Sequence, residues 1–186
     1  LYMFRNWHQV GNIKNHTKQY QGPVFSVEQC EIDTPDGLSV ERDLIHTAPT
    51  ITILALTDDQ QVVMTSEYRV GINAESVSLP AGIINPGESP EEAAKREFQE
   101  ETGYLAQSVK VMTTVTSSEG FMDQTAALIL LRFDPSKRTS THFDSDEFVS
   151  TQLVDLTQVL KWIKAGKVNT AQALAAVGYY QLYLSN

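Results

Sequence analysis

Residues 82–104 read GIINPGESPEEAAKREFQEETGY, and this stretch decides the fold. Ser89 stands directly before Pro90 and three residues ahead of Glu92. A serine hydroxyl can accept from the backbone N–H three residues on, and a glutamate there can reach back. Proline suits the first helical position because its missing N–H would have no partner there. The spacing predicts a helix over 90–102, stopped by Gly103, since glycine tolerates the left-handed conformation of a helix end. At about 100° per residue, Glu97 and Glu101 lie about 40° apart, with Glu100 about 60° to the other side. Three carboxylates so close repel one another and destabilise a free helix. A hard cation relieves that repulsion, because it takes oxygen ligands and can hold phosphates as well. A solvated acidic face is the alternative reading of the glutamates alone. Ala93, Ala94 and Phe98 supply an apolar surface by which the helix can dock on a sheet.

The flanking residues narrow the choice. Gly82, Gly87 and Glu88 precede the capped helix, and Arg96 stands beside Glu97. Gly82, five residues, Glu88, seven residues, then Arg96, Glu97, Phe98, Gln99, Glu100, Glu101, Thr102, Gly103 and Tyr104 together resemble the Nudix box throughout. Every glycine, glutamate and arginine of that pattern stands at its spacing, which makes the match far more specific than a lone glycine motif. Around it, Glu67, Tyr68, Arg69, Val70 and Gly71, and Leu79, Pro80, Ala81 and Gly82, are similar to the ADP-ribose and nucleoside-diphosphate-sugar pyrophosphatase branch. Glu41 and Arg42, after a Pro35-Asp36-Gly37 turn, add to the likeness.

The resemblance implies an α+β fold, an α/β/α sandwich whose central mixed β-sheet is flanked by helices. It implies an N-terminal extension of antiparallel strands over residues 1–46 and a hydrolase domain over 47–186. The metal would be Mg2+, with Mn2+ as the alternative, held by Glu97 and Glu101 with help from Glu100 and the Ala81 carbonyl. Glu100 and Glu101 would act in catalysis, and Arg96 would orient a glutamate through an ion pair. Glu88, Gly82 and Gly87 would shape the loop. Arg69 and Arg42 are the basic candidates for substrate contact, with Gly120 and Phe121 from the loop after a later strand. Glu147 is the preferred extra acid, as base or further ligand, ahead of Asp146 and Asp144. The implied reaction is hydrolysis at phosphorus in ADP-ribose or a related nucleoside diphosphate sugar, giving two phosphate monoesters. The alternatives are another dinucleotide or coenzyme diphosphate as substrate, or a Nudix-like module that binds without turnover. The resemblance also implies a homodimer. Two positions depart from the branch: Ser78 stands where glutamate is frequent, and Glu119 stands in a loop that often carries proline. Both bear on ADP-ribose recognition and neither on the metal centre.

The rest of the chain fits this reading. Its 186 residues suit one domain with a short extension. Fourteen basic against 23 acidic residues, a net charge of -9, argue against nucleic acid as a partner while leaving a metal-bridged small phosphate compound open. No apolar run reaches the roughly 20 residues a membrane helix needs, so no membrane is expected and the cytoplasm is the default location. Cys30, the sole cysteine, reads as a small buried side chain in a reducing compartment. His8, His16, His46 and His142 are scattered without ligand spacing. Phe121, Tyr68 and Phe25 could stack on a base, with packing as the competing role.

Apolar alternation predicts strands over 24–32 and 38–46 about a turn at 34–37, and a hairpin of 51–56 with 61–66. Further strands are predicted at 77–79, 109–115, 125–133 and 148–153. Residues 8–22 read as a polar lead-in, 80–82 as a stop to regular structure, and 134–146 as a loop. Leu156, Val159, Leu160 and Ile163 have helical spacing before Gly166. A last helix, capped at Asn169 or Thr170, would bury Ala173, Leu174, Val177, Tyr180 and Leu184.

Overall fold

The computed structural model of the chain describes residues 10–139 and 149–185, which group into two units. Residues 10–48 and Ser118–Gln124 form the first. Its sheet has the order β1-β2-β3, from β1 (Asn12–Gln21), β2 (Phe25–Asp33) and β3 (Ser39–Thr47), all antiparallel. The 34–37 turn is closed by the Gly37 N–H donating to the Thr34 carbonyl at 2.9 Å, with Gly37 at φ 88°. β1 corrects the reading of 8–22 as a lead-in. Every residue of this strand is exposed, so neither face requires apolar side chains and no alternation marks it; pairing with β2 extends it. The 118–124 segment joins the unit through β3: the Ile45 N–H donates to the Phe121 carbonyl at 2.8 Å, and the Asp123 N–H to the Ile45 carbonyl at 3.2 Å.

The second unit is built on a sheet in the order β10-β5-β4-β9-β8. The strands are β4 (Thr50–Leu56), β5 (Gln61–Arg69), β8 (Tyr104–Thr116), β9 (Thr125–Arg138) and β10 (Ser150–Asp155). Short β6 (Ala74–Ser78) pairs with β5, and β7 (Ala81–Ile83) with β4. β4 runs parallel to β9 and the other pairs are antiparallel, so the sheet is mixed. β4 is buried on both faces. Ile51, Ile53 and Ala55 meet Phe98, Ala93 and Ala94 of α1 (Pro90–Thr102). Leu54 and Leu56 belong to the opposite cluster, with Val159 of α2 (Leu156–Lys164) and Ala173, Ala176, Val177 and Tyr180 of α3 (Ala171–Tyr183). The two-residue period of the strand thus divides one apolar run between two helical layers, the expected α/β/α sandwich.

Three local expectations are corrected. Residues 81–83 do not stop regular structure; they form β7, with Ala81 opposite Thr52 and Gly82 opposite Ile51. β9 does not end at Phe133. Its polar continuation to Arg138 is held beside the start of β8, where Arg138 pairs with Tyr104 and lies over its ring at 5.2 Å. On α3, Leu174 is 39% exposed and Ala176 takes a place beside Ala173, Val177 and Tyr180 in the buried face, while Leu184, just past the helix, packs partly buried against the same cluster. Among the described residues no helix is long and apolar enough to cross a membrane.

Candidate active site

Helix α1 begins as its residues dictate. The Ser89 hydroxyl accepts from the Glu92 N–H at 3.3 Å, and the Ser89 N–H donates to Glu92 Oε2 at 2.8 Å, a complete capping box. Its far end closes at Gly103, φ 72°, whose N–H donates to the Gln99 carbonyl. Because Ala93, Ala94 and Phe98 are buried on the sheet, the helix is fixed in rotation about its own axis. The acidic edge is therefore presented at one place, beside β7 and the loop that follows it.

Arg96 organises that edge. Its Nε donates to Glu88 Oε1 and its Nη2 to Glu88 Oε2, each at 2.9 Å, a two-point grip on one carboxylate. Nη2 also donates to the Ile83 carbonyl at 2.9 Å. Nη1 donates to Glu97 Oε1 at 2.8 Å and to Glu100 Oε2 at 3.2 Å. Glu88 Oε2 further accepts the Asn85 N–H at 3.0 Å, which folds the loop back on itself. The Arg96 hydrogen bonds hold the Glu88 carboxyl down at about 2, against the opposing effect of burial. The same contact with Glu88 raises the Arg96 pKa, so the guanidinium stays charged. Glu101, one turn after Glu97, is only 8% exposed.

Gly82 is required by close approach. A Cβ on it would overlap the Glu97 carboxylate, so β7 backbone and Glu97 pack with no room between them. This brings the neighbouring Ala81 into the same region of the fold. Glu88, Glu97 and Glu100 surround the one Arg96 guanidinium, and Glu101 lies one turn on from Glu97. An all-oxygen donor set with excess negative charge fits a hard divalent cation.

The remaining candidates are placed as follows. Arg69 ends β5 and pairs with Glu67, and its side chain is largely exposed. Arg42 on β3, and Gly120 and Phe121 in the 118–124 segment, belong to the first unit; the Arg42 guanidinium donates to the Glu41 carbonyl at 2.8 Å. Glu147, Asp146 and Asp144 lie outside the described residues. The sequence reading passed over a second cluster. His16 Nδ1, Glu28 Oε2 and Cys30 Sγ lie within 4.8 Å of one another in the first unit. The signal was the strand register, which sets His16 opposite Cys30 and was hidden because β1 was not read as a strand.

Fold and helix edge together define a hydrolase of phosphoric anhydrides. The chain matches the NUDIX domain over residues 46–175 and belongs to the Nudix family. Its relatives include ADP-ribose pyrophosphatases. It is 30% identical to an ADP-ribose pyrophosphatase of Bacillus subtilis (strain 168) and 28% identical to a methanol dehydrogenase activator of Bacillus methanolicus. Each likeness runs over 163 residues, 88% of both chains. A solved structure of an ADP compounds hydrolase superposes with a TM-score of 0.83 at 21% identity, covering 94% of each chain, which shows the shared fold. The protein is thus a Nudix enzyme that hydrolyses a nucleotide diphosphate linkage.

Proposed function

We propose that the substrate is ADP-ribose or a related nucleoside diphosphate sugar, cleaved with Mg2+ (or Mn2+) at the acidic edge of α1. The observation that carries this reading is the Arg96 hub, which holds Glu88, Glu97 and Glu100 around one guanidinium while Glu101 lies one turn on from Glu97. In this reading Glu97, Glu100, Glu101 and the Ala81 carbonyl hold the cation, which, when bound, supplies neutralisation of the diphosphate and acidification of a water. Arg96 keeps the carboxylates in place, and Glu88 anchors Arg96 to the loop. Arg69 contacts phosphate, and Glu147 serves as base. The substrate class is supported by the Bacillus subtilis relative, whose similarity spans most of both chains, and by an ADP-ribose pyrophosphatase of Mycobacterium tuberculosis at 27% identity over 66% of this chain.

The test is a panel of ADP-ribose, other nucleotide sugars, dinucleotides and coenzyme diphosphates with Mg2+ or Mn2+, read by product mass. Release of AMP and a sugar phosphate from ADP-ribose, at a higher kcat/KM than from any other compound, is expected. A better dinucleotide or coenzyme substrate would transfer the assignment to that class. Binding without products from any compound would identify a non-hydrolytic module.

A further inference from the structure

The three-stranded sheet of the first unit carries a cluster for which the diphosphate chemistry has no use. Register places the relevant residues on one face: His16 of β1 is opposite Cys30 of β2, Glu28 is two residues from Cys30, and His46 of β3 is opposite Ser26. His16 Nδ1 lies 3.0 Å from Glu28 Oε2 and 3.6 Å from Cys30 Sγ. His46 Nε2 lies 3.3 Å from the same Glu28 oxygen. This nitrogen is buried and makes no hydrogen bond, the 3.3 Å approach being an ion-pair distance without hydrogen-bond geometry. Cys30 is buried, and His16 is half exposed.

We propose that His16 Nδ1, Glu28 Oε2 and Cys30 Sγ, which lie within 4.8 Å of one another, form a three-ligand transition-metal site, with Zn2+ as the favoured ion. Bonds of about 2.0–2.3 Å at tetrahedral angles separate neighbouring ligand atoms by roughly 3.3–3.6 Å. The 3.6 Å from His16 Nδ1 to Cys30 Sγ is of that size, and the 3.0 Å from His16 Nδ1 to Glu28 Oε2 is a few tenths of an ångström shorter. The donor set of one thiolate, one imidazole and one carboxylate selects a borderline cation and disfavours Mg2+, which prefers oxygen throughout.

The surroundings match a ligand sphere. His46 Nδ1 lies 2.6 Å from Asp123 Oδ2. His46 Nε2 lies 3.3 Å from Glu28 Oε2, so the Asp123–His46 pair backs the carboxylate ligand and acts on the site through it. Asp123 Oδ1 accepts the Thr47 N–H at 3.1 Å, so the orienting carboxylate is itself held. Two cations share this face by register, Lys18 opposite Glu28 and Arg42 opposite Cys30. Their heads are directed elsewhere, the Lys18 ammonium to Gln21 Oε1 at 3.1 Å and the Arg42 guanidinium to the Glu41 carbonyl. On binding, the Cys30 thiol releases its proton to solvent and a sulfur–metal bond replaces S–H. Through Glu28, which His46 and Asp123 back in turn, the ion would connect β1 and β2 with β3 and the 118–124 segment.

Cobalt(II) reports this site independently of turnover. Full-length protein, stripped with chelator and kept reduced, is titrated with Co2+ and followed by absorption. One equivalent per chain should develop a thiolate-to-metal charge-transfer band with tetrahedral visible bands, and Zn2+ should displace it while excess Mg2+ should not. Cys30→Ser should remove the charge-transfer band. His16→Ala, at a half-exposed position, should weaken binding, and Asp123→Asn, which acts through His46 and Glu28, should weaken it less. Glu101→Gln should leave the spectrum unchanged, since the helix edge offers no sulfur. Absence of the band at stoichiometric Co2+, or its persistence at wild-type affinity in His16→Ala, would overturn the proposal. Neither outcome bears on diphosphate hydrolysis, which Glu101→Gln tests by itself.

Discussion

At Arg96 one side chain meets three carboxylates, and this decides how the others behave. Bidentate pairing with Glu88 keeps the guanidinium in its plane, while Nη1 divides between Glu97 and Glu100. Lysine has the charge without the fork, so Arg96→Lys should cost about 1–3 kcal/mol in stability, measured by urea unfolding. The Glu88 carboxyl is held at about 2 from an ordinary 4.5. A depressed folded pKa means that its contribution is fully present above about 4.5 and lost as pH falls from there through 2. Thermal melts should therefore show a stability decline in that window that is reduced in Glu88→Gln; equal pH profiles for the two proteins would refute the linkage. Glu101 belongs to the cation rather than to the hub in the proposed chemistry. Glu101→Gln should lower kcat on the order of a hundredfold or more, because charge stabilisation by a metal is worth several kcal/mol. Steady-state kinetics at saturating Mg2+ would decide it.

At the scale of the element, α1 is held by its two ends and one face. Phe98 is fully buried against Phe133, ring centroids 5.2 Å apart, and against Tyr104 at 6.3 Å. Phe98→Ala should destabilise by about 3–5 kcal/mol in denaturant unfolding. Ser89→Ala breaks the capping box and should cost about 1 kcal/mol. The two variants separate packing from capping: only Phe98→Ala frees the helix to rotate and should lower kcat as well as stability. The helix, its start and its stop were legible in the sequence because caps and 3.6-residue periodicity are local. β1 was not legible, since a strand exposed along both faces carries no alternating pattern. The polar end of β9 was lost for a related reason: pairing of Arg138 with Tyr104 extends a segment whose composition reads as loop.

For the whole molecule, β1 is an edge strand among the described residues, and an exposed edge invites a cover or a partner. The family resemblance adds the expectation of a homodimer. Light scattering at micromolar concentration should return twice the 20.7 kDa chain mass; a single-chain mass would refute it.

Residues 82–104 carried by themselves the resemblance to the Nudix box, and that resemblance, rather than helix spacing, implied a divalent cation and a diphosphate substrate. Everything in that inference lies within 23 consecutive residues, where helical geometry is set by neighbours in the chain. What only the tertiary structure decided were relations between distant residues. Examples are Glu97 against the Gly82 backbone, and His16, Glu28, Cys30 and His46 on one face of a sheet. Strand pairing is a non-local choice of register, made by the whole sheet, and no spacing along the sequence encodes it.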